Sequence, residues 1–257
     1  SKDDPSQHSS RIEKDNRCLG KPYDLPVIDS SRTQPAKEFT KYALELSERM
    51  KLPVVIRTVT RLSHMRSDVK LGSITKLNRD PEFDWEGFSY RVAGFEKLFR
   101  RHKERHDKID SVQYEFDNLD LNVMEKRGNE RIGVIGVGFA HTYVKDAVDL
   151  LGSDGEIALL KLVTSNPIPE GLVSKFLENL ETVLVAEEVD PFVELHVKAL
   201  AKEVNPEVKI LGRLNGEIPR EGELSHEIID SKIAEIMEIE LDTGERKKLE
   251  KEKGELL

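Results

Sequence analysis

Residues 131–137 read RIGVIGV, residues 157–163 IALLKLV and residues 182–186 TVLVA. Each run is almost continuously aliphatic and β-branched, and too short for a helix. Strands of that kind are buried on both faces, as in a parallel sheet. Helix-length segments separate them. His141–Leu151 lies between the first two, and Pro169–Leu180 follows the second with its proline in the first turn. Asp190 as N-cap and Pro191 after it open a further helix to about Val204. Val208–Leu211 is the last strand. Strands alternating with helices of this length predict a parallel, doubly wound α/β sheet.

Outward from this core, Pro53–Val59 (PVVIRTV) reads as another buried parallel strand. The helix before it spans about Gln34 to Lys51, with Phe39, Tyr42, Ala43, Leu44, Leu46 and Met50 as its apolar stripe. A short apolar stretch, Leu25–Ile28, precedes that helix. The chain opens on SKDDPSQHSS, residues 1–10, which reads as the exit from a preceding strand, so the sequence is expected to be part of a longer polypeptide or one piece of a split gene. Asn78-Arg79-Asp80-Pro81 has turn chemistry. A charged helix with Phe95, Leu98 and Phe99 as apolar positions follows it, and then a polar stretch, Val112–Val123, ending at the Lys126–Asn129 turn. Trp85, Tyr90 and Tyr114 mark this connector as one that packs on the first domain. The expected organisation is an α/β unit at 1–77, a connector at 78–129, the doubly wound domain at 130–228 and a charged helical tail or linker at 229–257. A chain of 257 residues is long enough for two cores.

Composition removes several function classes. A net charge of −9 argues against nucleic acid as a partner, and the basic run Lys97–Arg105 reads as a solvated helix face. With Cys18 as the single cysteine, an internal disulfide is impossible, and so is an iron–sulfur cluster, which takes about four thiolates. No stretch approaches the ~18 apolar residues of a membrane span, and no signal peptide precedes the first motif, so a cytoplasmic location is expected. Gly136-x-Gly138 lacks the third glycine of a dinucleotide fingerprint, with His141 at that position. The next strand runs into Thr164-Ser165 rather than an acid for a ribose. The glycines are expected to allow a tight strand-to-helix turn. Glu187-Glu188-x-Asp190-Pro191 offers either a carboxylate pair for acid–base work or helix capping with surface charge, and the second is the expectation. No His/Cys metal spacing and no phosphate loop with a lysine is found, so no metal ligand is predicted.

The opening loop is denser in chemistry. Asp3-Asp4-Pro5-Ser6-x-His8-Ser9-Ser10-x-x-Glu13-x-Asp15-x-Arg17 gathers hydroxyls, an imidazole, carboxylates and a guanidinium at a strand exit, where α/β proteins keep their sites. Thr60, Arg61, Ser63 and His64 follow Pro53–Val59 at the equivalent edge. Two such loops can converge, so His8 and His64 are candidate catalytic residues. Ser9, Ser10, Glu13, Asp15, Arg61 and Ser63 are candidate cleft residues. The alternative for His64 is a backbone-bonded core histidine.

The opening loop resembles the "DDPS-x-HSSQNEQD-x-R" stretch of 2-oxoacid:ferredoxin oxidoreductases, especially their arylpyruvate (indolepyruvate) branch. Arg57–His64 is similar to that family's "RTTTRVSH" and Leu77–Pro81 to its following turn. Ile132–Gly138, Leu160–Leu162 with Asn166–Pro169, Leu184–Phe192 and Gly222–Ser225 resemble its second domain. The resemblance implies the later part of a pyrimidine-side domain of a thiamine-diphosphate enzyme, then a transketolase C-terminal-like domain, in an α subunit. It implies oxidative decarboxylation of an arylpyruvate to an acyl-CoA, with ferredoxin reduced. In the complete enzyme it implies thiamine diphosphate with Mg and 4Fe-4S clusters, none of them held by this chain alone, and the remaining domains or subunits, ferredoxin and coenzyme A as partners. The family's two amides are replaced here by Arg11 and Lys14, which can only donate. A non-catalytic scaffold paralogue is therefore an alternative, as is another thiamine-dependent dehydrogenase subunit.

Overall fold

The structure is a computed structural model describing residues 1–74, 95–241 and 244. The Leu77–Pro81 turn, Trp85, Tyr90 and most of the tail beyond 241 lie outside the described residues. The strands form two sheets, one of order β1-β3-β2-β7 and one of order β4-β6-β5-β8-β9, where β1 is Lys2–Asp3, β2 Val27–Asp29, β3 Val55–Val59, β4 Val123–Glu125, β5 Ile132–Val137, β6 Ile157–Leu162, β7 Thr164–Asn166, β8 Thr182–Ala186 and β9 Lys209–Leu211. In the second sheet β6, β5, β8 and β9 are parallel, and β4 adds antiparallel at one edge. In the first, β1, β3 and β2 are parallel and β7 is antiparallel to β2.

Both faces of the second sheet are covered, because successive strand residues point to opposite sides. Val134, Leu159 and Leu184 join one core with Tyr143, Val144 and Ala147 of α5 (Ala140–Leu150) and Ile229 and Ile233 of α8 (His226–Ile236). Their neighbours Ile135, Leu160 and Val185 join the other, with Phe176 of α6 (Glu170–Leu177) and Val193 and Val197 of α7 (Phe192–Val204). This is the doubly wound arrangement. The glycines fit it as expected: a Cβ on Gly136 would lie 2.6 Å from His141 Cα, so α5 packs directly on the strand.

The first sheet is backed by α2 (Thr33–Met50), whose Phe39, Ala43 and Leu46 cluster with Ile28. Leu44, placed by periodicity on that stripe, is exposed. α4 (Phe95–Asp117) differs more from expectation. Its start is in water, with Phe95 92% and Phe99 76% exposed, and the helix continues through the stretch read as polar connector, inserting Val112 and Phe116 into the α2 core. Each such burial is worth about 1.5–3 kcal/mol.

The chain crosses the expected boundaries in three places. β4, within the connector, extends the second sheet. β7, within the second domain, pairs with β2 of the first. α8, which begins just before the expected tail, buries Ile229 and Ile233 against α5. The β6–β7 run therefore passes from one sheet to the other with Val163 between them, buried beside Ile28. Val59 and Leu62 of the first unit also sit in the α5–α8 core.

Candidate functional site

The carboxyl ends of β1, β2, β3, β5 and β8 meet in a seam filled by ionised side chains. Arg17, the first residue of α1 (Arg17–Tyr23), has no exposed surface. It donates from Nε to both oxygens of Asp15 at 2.9 and 3.0 Å and from Nη1 to Glu187 at 2.5 Å. Its Nη2 reaches the carbonyls of Glu188 and Asp190 at 2.9 and 2.8 Å. Arg57 in β3 pairs with Asp3, with Asp29 at 2.8 Å and with the Glu188 carbonyl at 3.2 Å. Arg213 donates to the carbonyls of Glu187, Pro219 and Arg220 at 2.9, 2.6 and 3.0 Å. Backbone strain aims the shared carbonyls. Val189, a buried β-branched residue, has φ +72°, which such a residue rarely adopts. That turn points the carbonyls on both sides of it at Arg17. Gly138, φ +53°, lies against Asp29, where an added Cβ would meet the Asp29 Cβ at 2.8 Å.

Glu187 also answers the question its motif posed. Pro191 precedes α7, and the helix's Val193 and Glu194 N–H groups donate to the Glu187 carboxylate at 3.0 and 2.8 Å. The N-cap position is Pro191 and not Asp190, and it has no side-chain cap bond; the side chain that caps the first turn is Glu187. The surface-charge reading does not hold, since Glu187 and Glu188 are both buried. In this seam Asp3, Asp15, Asp29, Glu187 and Glu188 outnumber Arg17, Arg57 and Arg213. Burial pushes Asp15 up, yet Arg17 and Arg57 outweigh it and hold the carboxyl at about 2. Glu188 has weaker compensation. Burial raises it to about 7 against the Leu224 N–H and Arg213, and its Oε1 has no partner among the described residues. Burial raises Glu187 as well, against the Arg17 charge, so both acids that follow β8 lose more to desolvation than their cations return.

At the rim of the seam the opening loop and α3 (Thr60–His64) come together on a third segment. Glu223, its side chain 8% exposed, accepts from Arg61 Nη2 at 2.6 Å and lies 3.2 Å from His8 Nε2. Ser6 Oγ accepts from the Glu223 N–H at 2.8 Å, and Glu13 accepts from the Gly222 N–H at 3.1 Å. Arg61 also stands 5.8 Å over the Tyr143 ring. The Tyr143 hydroxyl is buried without a hydrogen-bond partner among the described residues, and its pKa is raised by burial and the Glu188 charge.

Of the residues singled out in the sequence, His8, Glu13 and Arg61 meet at Gly222–Glu223. Asp15 lies deeper, on Arg17. Ser9 donates its N–H to Asp4 at 2.6 Å, Ser10 its hydroxyl to the Ile12 carbonyl at 2.7 Å, and Ser63 bonds Thr58 at 2.8 Å. His64 ends α3 exposed, which removes the core-histidine alternative, and no bond joins it to the cluster among the described residues. Arg11 and Lys14 are exposed and outside the seam. Sequence reading missed Arg213 and Asp29, single charged residues without a motif. It also missed a grouping of Asp24, His102 and His106, although His102-x-x-x-His106 has the one-turn spacing of a metal pair.

The seam does not fit a diphosphate and its magnesium. Its guanidinium groups are all taken by carboxylates and carbonyls, so none is left to cradle a phosphate, and among its carboxylate oxygens Asp29 Oδ2 and Glu188 Oε1 lack a hydrogen bond among the described residues, too few for the oxygen shell of a hard cation.

No family model matches the chain. It is 34% identical over 92% of its length to the indolepyruvate oxidoreductase subunit IorA of Archaeoglobus fulgidus and 38% identical over 82% to that of Pyrococcus abyssi, covering 37% and 33% of those proteins. The chain thus spans about a third of the length of the curated relatives it matches. Among solved structures, a 2-oxoglutarate:ferredoxin oxidoreductase from Magnetococcus marinus, with 2-oxoglutarate, coenzyme A and succinyl-CoA bound, superposes with a TM-score of 0.55 at 13% identity, over 82% of this chain and 42% of that one. The resemblance drawn from the opening loop is borne out by these relatives, and the fold is that of a 2-oxoacid oxidoreductase segment.

Proposed function

We propose that this chain is the part of an indolepyruvate-type 2-oxoacid:ferredoxin oxidoreductase α subunit that joins the later half of the pyrimidine-side domain to the transketolase C-terminal-like domain. In the complete enzyme, thiamine diphosphate with magnesium supplies the carbanion-stabilising chemistry for oxidative decarboxylation to an acyl-CoA, and 4Fe-4S clusters carry the electrons to ferredoxin. This chain's own work is positioning. The observation that carries the reading is that the residues through which the sequence resembles that family build the seam: Arg17 and Arg57, paired with Asp15 and Asp3 in one unit, bond Glu187 and Glu188 of the other.

Three consequences follow for the chemistry. The buried ion network ties the two units to each other, so the loops at its rim keep one geometry. Arg61 places a guanidinium, beside the His8 imidazole, at the mouth, where the carboxylate of a 2-oxoacid and the phosphates of coenzyme A would approach. Arg11 and Lys14 add to that charge from exposed positions and leave the seam intact, so they bear on substrate preference and not on folding.

The test is to assemble the full-length polypeptide with its partner subunit and measure indolepyruvate-dependent reduction of ferredoxin in the presence of thiamine diphosphate and coenzyme A. Turnover is expected, together with slower turnover on 2-oxoglutarate. An assembled complex that holds its clusters yet oxidises no 2-oxoacid would favour the scaffold paralogue, the reading to which Arg11 and Lys14 point.

A further inference from the structure

Away from the seam, Asp24 and the histidines of α4 make a second cluster of chemistry-bearing side chains. Asp24 closes α1 in a left-handed conformation, φ 51°, and its carboxylate faces α4. On that helix His102 and His106 stand one turn apart, which puts both imidazoles on one face, their ring centroids 4.2 Å apart. One ligand atom from each of the three residues lies within 4.8 Å of the others. His106 Nε2 is 3.9 Å from Asp24 Oδ2.

We propose that Asp24, His102 and His106 form a binding site for a divalent transition-metal ion, zinc or nickel in class, that clips the end of α1 to α4. Bonds of about 2.0–2.2 Å from zinc to nitrogen and oxygen place neighbouring ligand atoms roughly 3.4 Å apart. The cluster is therefore open by about an ångström, a gap that side-chain rotation of the exposed histidines closes. Two imidazoles and one carboxylate select zinc, nickel, cobalt or copper over magnesium and calcium, which take oxygen donors. Three protein ligands leave a further position for water or a donor from outside the chain.

Two features oppose the ion and set the affinity. Arg105 Nε lies 2.6 Å from the same Asp24 Oδ2, so the metal competes with a guanidinium whose side chain is 40% exposed. The neighbouring Arg101 and Lys103 add positive charge on the helix. Arg105 is thus the site's built-in competitor, and its charge weakens the affinity for the ion.

The experiment titrates zinc chloride, nickel chloride and, as a control, magnesium chloride into the untagged chain by calorimetry. One zinc or nickel ion per chain is expected, with no magnesium heat. His102→Ala and His106→Ala should each weaken binding at least about tenfold, and Arg105→Gln should tighten it several-fold. A readout on the unaltered chain runs beside these: cobalt or nickel should broaden the ring NMR signals of His102 and His106 and leave those of His8, His64 and His196 sharp. Absence of binding up to about 1 mM, undiminished binding in the doubly substituted chain, or broadening at other histidines instead would overturn the proposal.

Discussion

Arg17 Nη1 donates to Glu187 Oε2 at 2.5 Å across 170 residues of sequence, and neither side chain is more than 1% exposed. The guanidinium satisfies the loop carboxylate of Asp15, the helix-capping carboxylate of Glu187 and two carbonyls of the strained 188–190 turn at once. Burial works against its charge, yet Glu187 and Asp15 outweigh the burial and raise its pKa. One side chain therefore ties the opening loop to the second sheet.

Removing that tie strands charge in a dry place. Arg17→Met leaves Asp15 and Glu187 without their main cation, and a cost of about 3–5 kcal/mol is expected. Urea denaturation of this chain measures it. Arg17→Met combined with Glu187→Gln should recover part of the loss, because a neutral amide no longer needs the cation.

The seam's acids give the stability curve a shape. Glu188 titrates near 7 when folded and at 4.5 otherwise, so its contribution is complete below pH 4.5 and is lost as pH rises through 7. That shift corresponds to on the order of 3 kcal/mol. Glu188→Gln mimics the protonated form, and the decline in melting temperature between pH 4.5 and 8 should flatten in that variant.

Asp15 has the opposite sign. Its folded pKa of about 2 against 3.8 means stability present above pH 3.8 and lost as pH falls toward 2. In Asp15→Asn the acid limb of unfolding, followed by circular dichroism from pH 5 to 2, should begin from a lower stability and be shallower.

Gly138 tests how closely the two units approach. Gly138→Ala meets both a left-handed φ and the Asp29 Cβ at 2.8 Å, whereas Gly128→Ala meets a φ of +102° with nothing within 4 Å. Chemical denaturation should show Gly138→Ala to be the more harmful by about 1–3 kcal/mol. Equal effects would mean the sheets have room to part.

Much of this fold was legible in the sequence. RIGVIGV, IALLKLV and TVLVA announce β5, β6 and β8 because buried parallel strands need continuous aliphatic runs, and TVLVA matches its strand, Thr182–Ala186, residue for residue. Phe95 and Phe99 misled, since a helix stripe shows which face is apolar and not which part of the helix meets a partner; Val112 and Phe116 do that. β7 went unread because Thr164-Ser165-Asn166 carries no strand pattern and is held by pairing with β2. At the site, the opening loop and Arg61 were legible as chemistry. Their meeting point, Glu223, was visible only as part of a family motif, because a contact between residues 61 and 223 leaves no trace in local pattern.

The most direct test of the central claim, that the rim of this seam faces the reaction, is the turnover of Arg61→Ala in the assembled full-length enzyme. Arg61 is 46% exposed, so the variant should fold with its melting temperature within a few degrees of the parent. The indolepyruvate-dependent kcat should fall by about tenfold or more, since loss of the cation at the mouth misplaces the substrate. An unchanged kcat and KM in a properly assembled Arg61→Ala enzyme would contradict the account and leave the seam a purely structural joint.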